Sequence, residues 1–479
     1  MTPAKVQLGK ALFFEEQLSS DDTMACATCH LPEAGGTDPR AGARAPGGDG
    51  LMNTPDDEFG SPGVVLQDAA GDYRSSPVFG VDRQVTGRNA PTVIGAAFFN
   101  TQFWDARAGP EFRDLDGRIV LREFASLESQ AVEPPLSAVE MGHAQRDWRE
   151  ITAKFARVRP LALASDLPPA LEQFIGDSAT YSPLFQLAFG DDAITRERIA
   201  MAIATYERTL VPDHAPFDLG TMTARQRRGL AVFNREGCQV CHTVSNGLFS
   251  DGSLQSLPFR LHERPVKVPT LRNGVLKKRF MSNGLMTSML QVLQFYEQVG
   301  LFFPTPTEVG DVRDFLENAL TDPRVAARQP PFDRPTLRSE RAPHGANLLG
   351  TATPGSAGLT PLVLADSPPY LGNPDFKIGL GAALGGKHAA IFVSTRQAGP
   401  GATMFGTPIA IDTPFRLYQT FRLPGALPGE GVATFHAQIP ASAALVGKKL
   451  YAQWFVRDPG AATGVSASAA AEFEFFAPR

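Results

Sequence analysis

Apolar positions follow two rhythms along this chain. Over residues 5–20, Val6, Leu8, Leu12, Phe13 and Phe14 fall on or near one face of a 3.6-residue repeat, which predicts an amphipathic helix. The repeat returns at about 144–157, 168–176, 193–209, 224–233, 287–298 and 311–320. Thr287 or Ser288 caps the 287–298 helix, and Thr321-Asp322-Pro323 closes the one after it. Beyond about residue 350 the helical repeat is gone. Short apolar runs at 389–394, 416–423, 432–439 and 449–456 are separated by Gly, Pro and Asp, which reads as a β-sandwich. Residues 326–350, rich in Pro, Arg and Gly, read as a linker. Residues 33–90 carry little periodicity and much Gly, Pro and Asp; a loop this long inside a domain is usually functional. The pattern predicts a mainly α region followed by an all-β sandwich domain.

Composition changes this picture little. The 479 residues leave room for several cores, and 43% hydrophobic with 20% charged residues is ordinary for a globular protein. A net charge of -5 without any basic block argues against nucleic acid as a partner. No apolar run is long enough to span a bilayer. Asp49, Asn53, Asp56, Asp57 and Glu58 gather hard oxygen donors of the kind calcium takes. Their spacing is not that of an EF-hand, and a solvated acidic turn is the preferred reading.

The cysteines change it more. The chain has only four, and two five-residue stretches use them all: Cys26-Ala27-Thr28-Cys29-His30 and Cys238-Gln239-Val240-Cys241-His242. Cys-x-x-Cys-His is the attachment pattern of a c-type haem. Two thiols add to the haem vinyl groups, and the histidine that follows reaches the iron. A zinc site would want its second cysteine pair much nearer in sequence. A redox dithiol would not need the trailing histidine. Two covalently attached c-type haems are therefore expected, at His30 and His242. Such haems are attached outside the bacterial cytoplasmic membrane. Met1-Thr2-Pro3-Ala4-Lys5 is not a secretory signal, so a periplasmic or otherwise exported protein whose signal has been removed is expected.

With both haem motifs in place, the sequence resembles the bacterial diheme cytochrome c peroxidase family, which includes the MauG-type enzymes. The shared stretches are Leu8-Gly9-Lys10-Ala11-Leu12-Phe13-Phe14, the two haem motifs, Arg88-Asn89-Ala90-Pro91-Thr92, Phe103-Trp104-Asp105-Ala106-Arg107, Val139-Glu140-Met141-Gly142 and Val268-Pro269-Thr270-Leu271-Arg272-Asn273. They run in the family's order over about residues 5–340. The resemblance implies two cytochrome c-like helical haem domains. Residues 1–195, with the long insert 33–87, would hold the peroxide-reactive haem. Residues 196–325 would hold the second. After the linker, a β-sandwich domain of unknown role over 351–479 lies outside the resemblance.

The resemblance also assigns roles. Glu140 matches the glutamate on the distal side of the N-terminal haem, where a base moves a proton between the peroxide oxygens. Conventional family members block that haem at rest with a histidine in the loop before the Arg-Asn-x-Pro-Thr stretch. Here the loop reads Phe79-Gly80-Val81-Asp82-Arg83-Gln84-Val85-Thr86-Gly87, without histidine, which implies a haem open to peroxide. Tyr296 falls where conventional members place a methionine ligand and MauG-type enzymes a tyrosine. A phenolate there favours higher iron oxidation states and lowers the potential. Met281, Met286 and Met289 are rival ligands by proximity. Trp104 matches the aromatic between the two haems, and Asn89, with carbonyls near Lys267 and Pro269, matches a calcium site between the haem domains. His143, near Glu140, reads as a surface histidine; His214, His262, His344, His388 and His436 have no ligating context.

The expected function is thus a periplasmic diheme peroxidase-type oxidoreductase that uses hydrogen peroxide to oxidise a redox partner protein or a protein substrate. A tryptophan of a partner, as in the MauG-like branch, is one such donor. A conventional peroxidase drawing electrons from a small cytochrome or copper protein is the alternative. An electron-transfer or haem-sensor protein is an alternative of another class.

Overall fold

The computed structural model describes residues 1–479 except 41, 257–264, 344 and 416, so His262, His344 and Arg416 lie outside the described residues. The expectation of a mainly α region followed by an all-β sandwich domain fails: helix accounts for 26% of the protein and strand for 20%, with many small sheets. The physical reason is local. The longest helices, Arg196–Glu207 and Ala224–Arg235, are 12 residues each. The two haem motifs fold as single turns, Cys26–Cys29 and Cys238–Val240. The insert builds small antiparallel pairs, Arg44–Ala45 with Glu58–Phe59 and Pro62–Val65 with Arg83–Val85.

The first core forms around the helix Pro3–Phe13. Thr2 caps it by accepting from the Lys5 amide, and Pro3 sits at its first position. The helix is not amphipathic as the pattern suggested: Leu8, Gly9, Lys10, Ala11, Leu12 and Phe13 are all buried. One side packs on the Arg196–Glu207 helix, and the other is covered by a later strap. A Cβ on Gly9 would stand 1.8 Å from the Ala202 carbonyl oxygen, so only glycine allows this crossing. On the strap side, Lys10 Nζ pairs with Asp333 at 2.8 Å. Phe332 and Leu337, from the stretch that reads as a linker, and Val325 just before it are fully buried in this first core. The strap is further tied down by Arg334, which pairs with Glu33 and Glu340. A second, smaller core contains Val232, Phe233, Phe249, Met289, Leu293, Phe315 and Leu316.

The last third carries two antiparallel sheets. One orders Leu362–Leu364, Phe376–Leu384 and Pro428–Ala437 side by side. The other places Leu417–Arg422, His388–Ser394, Lys449–Arg457, Ala470–Glu474 and Asn347–Leu349 in that order, with Val465–Ala467 also on Lys449–Arg457. Alternating residues from both sheets, among them Ile378, Leu380, Ile391, Trp454 and Phe473, share one core. The expectation of a separate all-β unit holds only in part, because the haem-proximal insert packs into these sheets. Tyr73 lies over Gly379 and Val81 over Gly381. The Tyr73 amide donates to Thr434 Oγ1 at 2.8 Å, Lys377 Nζ donates to Gln67 Oε1 at 2.6 Å, and Tyr370 Oη donates to Asp22 Oδ2 at 2.9 Å.

Candidate functional site

Two cavities of about 420 Å³ each lie side by side, one over each Cys-x-x-Cys-His turn. Cys26, Cys29 and His30 line the first, with Glu140 also on its wall. Cys238, Cys241, His242 and Tyr296 line the second. All four thiols are free, so neither motif has closed into a disulfide. The walls are mostly apolar: Phe13, Met24, Val93, Leu127 and Ile203 in the first, Phe233, Val268, Leu271, Leu293 and Leu316 in the second.

The donor sets suit haem. His30 Nδ1 lies 3.1 Å from the Gly36 carbonyl oxygen, and His242 Nδ1 lies 2.9 Å from that of Phe249. A carbonyl only accepts, so each ring carries its proton on Nδ1 and leaves the Nε2 lone pair for a metal. Burial holds both imidazoles below their usual range, which keeps them neutral as ligation requires. Two thiols, a neutral imidazole and an apolar cavity together match covalent attachment plus axial ligation at each site.

Glu140 follows a turn in which Ser137 Oγ accepts from its amide at 3.3 Å. Its side chain is enclosed by protein yet only half-buried by area, because the surface left open faces the cavity. Burial pushes its carboxyl up from the ordinary range, partly opposed by a Ser137 hydrogen bond and by Arg107. Trp104, 8% exposed, lines both cavities, as do Asn89 and Phe103. Its indole Nε1 donates to the Asn89 carbonyl at 2.7 Å, which fixes the ring in the dividing wall. Arg107 lies over the Phe103 ring at 3.4 Å.

Around the second cavity, Tyr296 sits on the Met289–Gln298 helix, capped by Ser288. Burial pushes its phenol up to about 12. Of the rival methionines, Met281 and Met289 line the cavity; Met286 is not on its wall and bridges Phe280 instead. Asn89, Lys267 and Pro269 all line this cavity as well. Asn89 Nδ2 donates to the carbonyls of Arg279 and Met281, both at 3.3 Å. Lys267 Nζ turns to the Thr101 carbonyl at 2.8 Å.

Other sequence readings take definite places. Ser61, Thr86, Gly87 and Arg88 bring the insert to the first cavity's wall, and no histidine comes with them. His143 is buried, with Nδ1 against the Ala144 carbonyl and Nε2 against Glu150, and does not line the cavity. In the acidic loop, Asp56 accepts from the Asp49 amide and from Thr54, and Asp57 accepts from the Asn53 amide. Asp49 and Asp56 are exposed, whereas Asp57 is buried, so this turn is only partly solvated. Among the described residues the cluster with metal-like spacing is Asp213, His214 and Asp322, where Arg324 already pairs with both carboxylates.

Sequence reading missed Glu207. It lies one turn after Ile203 on a buried helix and lines the first cavity, and Oε2 has no hydrogen-bond partner among the described residues. Burial, with Glu128 adding to it, pushes its carboxyl up to about 8. The only signal in the sequence was a glutamate on the apolar face of a predicted helix.

Residues 3–226 match the model of the di-haem cytochrome c peroxidase family. The methylamine utilization protein MauG of Methylophilus methylotrophus is 28% identical over 321 residues, covering 62% of this chain and 73% of that protein. MauG of Methylorubrum extorquens is 26% identical over 361 residues, covering 67% and 80%. The cytochrome c peroxidase Ccp of Escherichia coli is 31% identical over 244 residues, covering 50% of this chain and 37% of that protein. A di-haem family implies two c-type haems, matching the two cavities, and its reactants are peroxide and a redox partner or protein substrate. By these matches residues 3–226 carry the di-haem cytochrome c peroxidase pattern, and the chain is similar to peroxide-dependent diheme oxidoreductases of the cytochrome c peroxidase and MauG type.

Proposed function

We propose that this oxidoreductase works in the MauG manner, with peroxide as the two-electron oxidant reacting in the His30 cavity and the electrons that reduce it drawn from a side chain of a partner protein. The observation that carries the reading is the first cavity: Glu140 on its wall, and no histidine among the insert residues that line it. A c-type haem bound there supplies an iron able to take up peroxide and to hold oxidising equivalents. Glu140 Oε takes the proton from one peroxide oxygen and delivers it to the other, so that water can leave. The raised pKa suits that task, since a base nearer the working pH both accepts and returns a proton. Trp104, fixed in the wall common to both cavities, is the relay between them. His242 and Tyr296 line the second cavity together and would hold the iron of a haem bound there, where a phenolate oxygen would favour storage of charge over simple passage.

Asn89 and the backbone carbonyls at Lys267 and Pro269, which line the same cavity, would supply hard oxygen donors for a calcium ion between the haem regions. Residues 1–195 and 196–325 serve as the two haem units, and 351–479 as an ancillary region. Two c-type haem motifs support a location in the periplasm or another exported compartment.

Mixing the diferric protein with hydrogen peroxide tests the reading. A long-lived oxidised species involving both haems is expected, and Tyr296→Phe abolishes it while keeping two haems per chain. Resting spectra without any high-spin ferric component would refute an open first site. Rapid turnover with a small reduced cytochrome, and no long-lived species, would favour the conventional peroxidase reading to which Ccp-type relatives point.

A further inference from the structure

The two cavities are built with the same hidden brace. Each histidine's Nδ1 proton goes to a carbonyl a few residues on, from Gly36 in one case and Phe249 in the other. Both of those residues have left-handed backbone, with φ +73 and +56. Glycine adopts this freely. A phenylalanine does not, and Phe249 is held there by packing against Phe217, Phe233 and Phe315. Directly before each acceptor, a second carbonyl is bound by a threonine from far along the chain. Thr92 Oγ1 donates to the Gly35 carbonyl at 2.6 Å, and Thr270 Oγ1 donates to the Leu248 carbonyl at 2.6 Å. Each hydroxyl also accepts an amide two residues on, from Ile94 at 3.0 Å and from Arg272 at 3.2 Å. Both threonines follow a proline, and the carbonyls of Pro91 and Pro269 also act on His30 and His242.

The same donor, acceptor and offset thus occur twice, on segments 178 residues apart (270 minus 92). One copy alone would be an ordinary loop contact; two copies aimed at the same kind of carbonyl imply a function. A ligating histidine's second hydrogen bond fixes the ring and raises its basicity. Axial-ligand basicity in turn tunes the iron's potential.

We propose that Thr92 and Thr270 are positioning residues that hold the Gly36 and Phe249 carbonyls against the histidine Nδ1 protons, and so set the reduction potential of each haem separately. The proposal rests on His30 and His242 as axial ligands. Each threonine acts through the loop, by way of the Gly35 or Leu248 carbonyl that its hydroxyl binds.

Thr92→Val, Thr270→Val and the two serine variants, made in the full-length holoprotein, test this by haem content and by potentiometric titration of each haem. Thr92→Val is expected to shift the potential of the His30 haem upward, because a less basic imidazole stabilises the ferric state less. The His242 haem should stay at its wild-type value. Thr270→Val should do the reverse, and serine should restore both. A valine variant that loses haem while its serine counterpart keeps two also supports the hydroxyl's role. Unmoved potentials, equal shifts at both haems, or failure of serine to restore would overturn it. Wild-type protein carrying fewer than two haems would instead overturn the ligand reading beneath it.

Discussion

Glu140 and Tyr296 show how burial sets the chemistry one side chain at a time. Burial penalises the charged form, so the Glu140 carboxyl lies above the ordinary range. Its base form is lost as pH falls through that raised value. The rate of reaction with peroxide should therefore show an acid limb above the pH where a free carboxyl titrates. Glu140→Gln should remove the limb and slow the reaction by about 10²–10⁴-fold, the usual contribution of a positioned base, while haem content stays at two. Stopped-flow absorbance across pH 4 to 8 reads both effects. Tyr296 is pushed the other way from the form that ligates, up to about 12 in the protein surroundings alone. An iron's own charge reverses that logic. Cys26 to His30 was legible at this scale because attachment demands a fixed spacing. Glu207 was not, because nothing in its neighbours' identities marks a carboxylate buried beside a cavity.

At the scale of elements, close backbone approaches decide where the site sits. Gly63 lies in the Pro62–Val65 strand, and a Cβ there would stand 1.9 Å from the Val139 carbonyl and 2.8 Å from Glu140 Cα. The insert thus presses on the segment that carries Glu140. Gly63→Ala should displace Glu140 and slow the peroxide reaction without loss of haem, read in the same stopped-flow experiment. Gly9→Ala meets the Ala202 carbonyl in the same way, but in the first core. It should destabilise the fold by about 1–3 kcal/mol, the usual cost of overpacking, measured as a lower denaturation midpoint. The strands of the last third were legible from their runs: 389–394 and 449–456 became His388–Ser394 and Lys449–Arg457. The insert's pairs were not, since two-residue strands leave no periodicity to read.

Across the whole molecule, buried polar ties join parts that the sequence pattern separates. Tyr370 reaches from the C-terminal sheets to Asp22, just before the first haem motif, where Lys154 also pairs. Tyr370→Phe should cost about 1.5–3 kcal/mol, as for a hydrogen bond to a charged group, seen as a lower midpoint in denaturant. Glu16 ties the strap by accepting from the amides of Arg338 at 2.7 Å and Ser339 at 2.8 Å. Burial pushes its carboxyl up to about 7 against those bonds. A folded-state pKa above the unfolded one means that the native state holds the proton more tightly. The stability this contributes is present in full below the ordinary carboxylate range and is lost as pH rises through about 7. The melting temperature should fall between pH 5 and pH 8, and Glu16→Gln should flatten that slope.

Residues near one another in the chain encode the local chemistry: two haem-attachment motifs with their histidines, the helix caps and the strand runs. Tertiary structure alone decided the rest. It brought Glu140 and the insert onto one cavity wall, put Trp104 in the wall shared by two cavities, and folded a Pro-rich stretch back into the first core. It also aimed Thr92 and Thr270 at the loops that hold His30 and His242. These are contacts between distant segments, fixed by packing and by satisfying buried polar groups, and no spacing along the chain encodes them.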